Sequence, residues 1–150
     1  ALSVSLSGGI TTDNAPLFSL YEGGGSSPTN DNLWRSFGLG FNTYFATMRP
    51  GTFYSNYYSS VFLNHQLPSI RLSEKRRLGI SFLYKALLGG LNHRLAHGIM
   101  IDEPNKLYQE GGIQFSRWIP VLDIGLYYRF GAYHLQGIEN NLAGRVLISF

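Results

Sequence analysis

PVLDIGLYYRFGAYHL, residues 120 to 135, decides the reading of this chain. Its even positions, Leu122, Ile124, Leu126, Tyr128, Phe130 and Ala132, are all apolar. Its odd positions, Asp123, Gly125, Tyr127, Arg129, Gly131 and Tyr133, are small, polar or charged. A period of two places the two sets on opposite faces of one strand, so one face is apolar without interruption. Asp and Arg on the other face, with tyrosines at both ends, suit a barrel strand that has lipid outside and a filled or wet lumen inside.

The same alternation recurs outward from this stretch. Residues 2 to 10, LSVSLSGGI, set Leu2, Val4, Leu6 and Ile10 against Ser3, Ser5 and Ser7. From Leu78, Ile80, Phe82, Tyr84 and Ala86 point outward while Gly79, Ser81 and Lys85 point inward. The closing stretch NLAGRVLISF sets Leu142, Val146, Ile148 and Phe150 on one face and Arg145 on the other. Residues 35 to 48 show Phe37, Leu39, Phe41, Thr43 and Phe45 opposite glycines and polar residues, and predict a further wall strand. Strands are also predicted over 17 to 24, 53 to 65 and 112 to 118. Residues 88 to 108 form the longest predicted non-strand segment, and RLSEKRR, 71 to 77, a connection. The count is eight strands. The fold class expected is all-β, an antiparallel transmembrane β-barrel, either closed and small or the C-terminal strands of a larger barrel.

Composition agrees with that class. Only 14% of the 150 residues are charged while 15% are aromatic and 18 are glycine, against roughly 25% charged in an ordinary soluble domain. No apolar run of about 18 residues exists, which leaves strands as the way to cross a bilayer. The net charge of +3 is modest, and its densest source, RLSEKRR, is not interleaved with stacking aromatics, so no nucleic-acid partner is expected. Absence of cysteine fits the outer membrane or periplasm. The chain opens at Ala1 already in strand pattern, as a mature chain or a fragment would.

LNHQLPSIRL, YQEGGIQFSRWIPVLDIGLYYRFGAYHL and ENNLAGRVLISF resemble the C-terminal end of a family of large Bacteroidetes outer-membrane proteins of uncharacterised function. Those proteins are similar in carrying a carboxypeptidase-regulatory-like domain ahead of a barrel distantly related to the BamA and TamA group. The resemblance runs from about Pro16 to Phe150 and implies location in the outer membrane of a Gram-negative bacterium; it carries no activity. Val146, Ile148 and Phe150 resemble the C-terminal signal read by the outer-membrane insertion machinery, although the glycine falls at Gly144 where the usual pattern would have it at the position of Arg145.

Chemistry-bearing residues are few. His93 and His97 have the spacing of two ligands on one helical face, but Gly89, Gly90 and Gly98 predict a loop and HRLAH lacks the glutamate of a zincin motif; no metal and no cofactor are expected. An outer-membrane hydrolase acting on lipid or lipopolysaccharide is the alternative function, and it needs a serine beside a histidine on the wall. His65 and Ser69 fall in or beside a connection, and His134 has no neighbouring serine in sequence. The inward charges Lys85, Asp123, Arg129 and Arg145 predict an interior polar network, because a buried charge costs several kcal/mol unless paired. That network either plugs the barrel or lines a solute path. A turn centred on Gly137 would place Arg129 directly opposite Arg145, and Glu22 and Glu139 are the expected acidic partners. Tyr21, Tyr44, Tyr54, Tyr57, Tyr58, Tyr84, Tyr128, Trp34 and Trp118 are expected in interfacial girdles. The function expected is a structural, assembly-related or transport-related barrel whose partners are outer-membrane lipid, lipopolysaccharide, the insertion machinery and other outer-membrane proteins.

Overall fold

A computed structural model describes residues 1–13, 15–27, 38–39, 44–74, 77–92, 102–119 and 122–148. The strands are β1 (Leu2–Ile10), β2 (Tyr21–Glu22), β3 (Gly38–Leu39), β4 (Tyr54–Ser55), β5 (Tyr57–Gln66), β6 (Ile70–Arg71), β7 (Arg77–Gly90), β8 (Tyr108–Ile119), β9 (Leu122–Gly131) and β10 (Leu142–Ile148). Six of them, β1, β5, β7, β8, β9 and β10, are long and pair antiparallel in that order. The protein is all-β, built on one large antiparallel sheet.

Period-two sequences form this sheet because each rung of the ladder then brings like side chains together on one face. On the outer face Val4 pairs with Leu63, Phe82 with Ile113, Phe115 with Ile124 and Ile124 with Val146. On the inner face the rungs are Phe62–Lys85–Glu110–Arg129, then Asn64–Leu83–Gly112–Tyr127–Ala143, then Gln66–Ser81–Gln114–Gly125–Arg145. The upper end of the sheet, where β1, β7 and β9 finish, carries the long connections. At the lower end Ile70 pairs with Leu78 and Arg71 with Arg77, so the first and last residues of RLSEKRR belong to β6 and β7.

Four expectations are corrected. Residues 17 to 24 contain a 3-10 turn, Leu17–Ser19, and only the two-residue β2, which pairs with β4. Of 35 to 48, residues 35–37 and 40–43 lie outside the described residues; β3 pairs parallel with β10 for two residues, and Tyr44 to Met48 leave the wall and lie against its inner face. Phe45 is therefore core, packed with Met48, Phe53, Leu87 and Tyr108, rather than a lipid-side residue. Among the described residues the sheet reaches eight strands only with the two-residue β3 and β6, the other six being long, and no ladder joins β1 to β10. Strands β7 and β8 run to Gly90 and from Tyr108, so the segment between them is shorter than the predicted 88 to 108.

Tyr127 shows how closely the inner face is packed. Its ring lies over Gly125 of its own strand and Gly112 of β8, so a Cβ on Gly125 would fall 2.6 Å from Tyr127 Cε2 and one on Gly112 would collide with Cδ1. Glycine at both places is a steric requirement of that ring.

Candidate functional site

The site is the charged centre of the inner face. Lys85, Glu110 and Arg129 occupy one rung of three adjacent strands, since β7, β8 and β9 pair Lys85 with Glu110 and Glu110 with Arg129. Glu110 is 0% exposed and Lys85 2%, and the Lys85 ammonium lies 3.3 Å from Glu110 Oε1. Two unlike charges removed from water need further bonds to offset desolvation. The segment 44–48 supplies them.

That segment is held by its backbone. Ala46 N donates to Glu110 Oε1 and Thr47 N to Oε2, both at 3.0 Å, and Thr47 Oγ1 donates to Oε2 at 2.8 Å. The Lys85 ammonium donates to Tyr44 O, and Arg145 Nη2 donates to Ala46 O at 2.7 Å. The Tyr108 hydroxyl meets Thr47 Oγ1 at 2.7 Å. Every polar backbone group used is one that the segment would otherwise lose to burial without a partner. Below the pins Ala46 packs with Leu83, Tyr127 and Ala143, and Lys85 lies 4.8 Å from the Tyr127 ring centroid.

The other inward charges have different tasks. The Asp123 carboxylate accepts from Gln114 Nε2 at 3.0 Å and from Arg117 N at 3.3 Å. Arg117 has φ of 63° and sits in the bulge between Phe115 and Ile119, so Asp123 fixes a left-handed backbone turn that a non-glycine residue seldom adopts. Arg129 Nη2 donates to Asn140 O at 2.8 Å and Nε to Asn141 Oδ1 at 3.3 Å. Asn141 is itself completely buried, and bonds Leu135 N, Leu135 O and Gly137 O. Arg129 thereby ties the wall to the loop that connects β9 to β10.

Arg129 and Arg145 do not face each other. Leu142 pairs with Tyr128 and Arg145 with Gly125, because the ladder is centred on Leu135, two residues before Gly137. The acid in the network is Glu110, not Glu22 or Glu139: Glu22 Oε1 accepts from Gly51 N at 2.7 Å, and Glu139 lies in the exposed 3-10 turn. Glu110 sits in YQEGGIQF, where consecutive Gly111 and Gly112 hide the phase of the strand; the inward Lys85 one strand away was the signal that an acid was owed on that rung. Val146 is on the outer face of β10, Ile148 pairs with Leu122, and Phe150 lies outside the described residues. Of the expected girdle, Tyr57 is exposed on the outer face, but Tyr21 and Tyr58 pack together inside, with ring centroids 4.5 Å apart and planes tilted by 52°, where they border a cavity of about 420 Å³ that reaches Ser3, Ser7 and Lys85.

His93 and His97 lie outside the described residues, and among those described no three His, Asp or Glu come together as metal ligands. His134 Nε2 is bonded to the Tyr128 hydroxyl at 2.8 Å, and His65 stands on the outer face of β5 opposite Leu2 and Phe82. Tyr133, above the wall, donates to Glu103 O at 3.1 Å; burial pushes its phenol pKa up. No family model, curated protein or solved structure matches the chain. The fold and the site together are an antiparallel sheet that is apolar on one face and holds a salt-bridged, backbone-binding centre on the other.

Proposed function

We propose that this chain is a wall of an outer-membrane β-barrel with a structural, assembly-related or transport-related role, its interior occupied by the segment pinned at Glu110. One observation carries the reading. No Lys, Arg, Asp or Glu stands on the outer face of the six long strands up to the bulge after Phe115, whereas Lys85, Glu110, Asp123, Arg129 and Arg145 all stand on the inner face. Leu6 at 74%, Ile10 at 81% and Leu126 at 48% exposure leave a broad apolar surface, which water disfavours and lipid does not. The outer-membrane location, the insertion machinery as a partner and the Bacteroidetes resemblance of the closing strands belong to the same proposal.

The test is fractionation with extraction. Expressed with a secretion signal in a Gram-negative host, the protein should sediment with the outer membrane, resist carbonate and urea washing, and dissolve only in detergent. A monodisperse protein in detergent-free buffer would overturn the proposal.

A further inference from the structure

The bonds of the pinned segment reach Lys85, Glu110 and Arg145 on β7, β8 and β10. Over β1 and β5 the inner face keeps a cavity of about 420 Å³. The sequence makes that room. The rungs that carry Leu83, Lys85 and Leu87 on β7 run out through β5 to Ser3, Ser5 and Ser7 on β1, so each ends at the edge strand in a single hydroxyl.

The hollow is partly enclosed. At the upper end of β1 the Tyr21 ring lies over Gly9, where a Cβ would fall 2.5 Å from Tyr21 Cζ, and Gly23 seats against Leu87, whose Cδ2 a Cβ would meet at 3.3 Å. Residues 21–24 therefore cover one side of it, and the Tyr58 hydroxyl beneath Tyr21 meets Ser7 Oγ at 3.0 Å. Ser3, Ser5 and Ser7 are exposed, so the hollow opens to solvent along β1.

The lining selects its ligand. Ser3, Ser5 and Ser7 follow one another at about 6.8 Å along the strand, with Ser60 opposite Ser7. Of these four, Ser7 alone bonds a side chain among the described residues. The rings of Tyr58 and Phe62 border the same space. No charge is on offer there: the Lys85 ammonium donates to Tyr44 O and lies 3.3 Å from Glu110 Oε1, and Glu22 Oε1 accepts from Gly51 N. A charged ligand would lose water without gaining a counter-charge. A wholly apolar one would strip water from the serine hydroxyls and return no bond. A sugar ring meets both demands, with hydroxyls at its edge for the serines and C–H faces for the aromatic rings.

We propose that this cavity binds a neutral sugar ring, its hydroxyls on Ser3, Ser5, Ser7 and Ser60 and its C–H face on Tyr58 and Phe62. The site belongs to the inner face of the sheet and needs no lipid on the outer one, so it stands or falls apart from the membrane location.

Saturation-transfer NMR tests it, on the whole chain in a zwitterionic detergent that carries no sugar. Methyl glucoside, methyl galactoside and methyl mannoside are the probes, and cyclohexanol is the six-membered ring with one hydroxyl. At least one glycoside should bind, and Ser5→Leu, which fills the hollow from an exposed position, should weaken it at least about tenfold. Ser3→Leu takes its place if Ser5→Leu does not fold. Ser59→Leu, exposed on the outer face between Gly8 and Leu88, should leave binding within about twofold of the parent. Absence of transfer to all three glycosides, binding that survives the leucine on β1, or cyclohexanol bound as tightly as the glycosides would each overturn the proposal.

Discussion

Replacing Glu110 with alanine removes the one acid that joins the wall to the segment inside it. The change leaves the Lys85 ammonium 2% exposed without its counter-charge, and leaves Ala46 N and Thr47 N without the oxygens they now reach at 3.0 Å. Breaking a buried ion pair from one side costs about 3–5 kcal/mol, and each orphaned backbone N–H about 1–3 kcal/mol. These losses overlap, since one relaxation of residues 44–48 toward water would relieve all of them, so the expected destabilisation of Glu110→Ala is about 4 kcal/mol rather than the total. Urea unfolding in detergent, followed by tryptophan fluorescence, measures it. Combined with Lys85→Met in a double-mutant cycle, the coupling should exceed about 2 kcal/mol, because the double variant no longer buries a lone charge. A Glu110→Ala protein within about 1 kcal/mol of the parent, or a coupling under about 0.5 kcal/mol, would show that the network is not what holds the segment.

Three further outcomes follow from the same geometry. On the proposed membrane location, Leu126→Arg on the outer face should destabilise the protein by about 2–4 kcal/mol, read from unfolding in lipid vesicles, whereas a soluble sheet would lose far less at so exposed a position. Gly112→Ala should cost about 1–3 kcal/mol in the same assay, because its Cβ displaces the Tyr127 ring from the groove it occupies; Gly111→Ala, whose Cβ would meet the Phe130 ring only at 3.4 Å, should cost less. Asn141→Ala removes bonds to Leu135, Gly137 and Arg129 and should lower stability by about 2–4 kcal/mol while freeing the loop between β9 and β10, seen as faster amide exchange at Leu135.

The wall was legible where alternation is strict. In β7, β9 and β10 every even position through Ala86, Phe130 and Val146 is apolar or glycine, and one register slip would turn Lys85, Arg129 or Arg145 to the outer face, so the pattern itself specifies the side. The pinned segment was not legible for the same reason. Phe37 to Phe45 alternates as well as any wall strand, yet Phe45 packs against Phe53, Leu87 and Tyr108, and period two does not distinguish an apolar face turned to lipid from one turned to a core. Register failed at Arg129 and Arg145 because it depended on a turn: the ladder is centred on Leu135 and not on Gly137, and two residues of displacement at the centre move each partner by four. Glu110 was missed because the glycines after it carry no side chain to reveal which face they are on.

That Lys85, Glu110 and Arg145 bind the backbone of the segment follows from what a wall of this kind needs. A sheet whose outer face is apolar and whose inner face holds Lys85, Glu110, Arg129 and Arg145 cannot be finished by a second apolar layer, since each charge would then be buried without a partner. It needs a filler dense in donors and acceptors, and an extended polypeptide is the densest available, with one N–H and one C=O at nearly every residue. Tyr44, Ala46 and Thr47 supply those groups in the spacing that Lys85, Glu110 and Arg145 accept. Recognition of that form constrains side chains only by size. Ala46, 1% exposed between Leu83, Tyr127 and Ala143, has no room to grow, while the bonds that fix its position make no use of its methyl group. The segment is thus held by charge and limited by packing, and the two can be separated experimentally: Ala46→Val would strain the fit while leaving every hydrogen bond donor and acceptor in place, and Glu110→Ala would remove the three bonds to its carboxylate while leaving the fit.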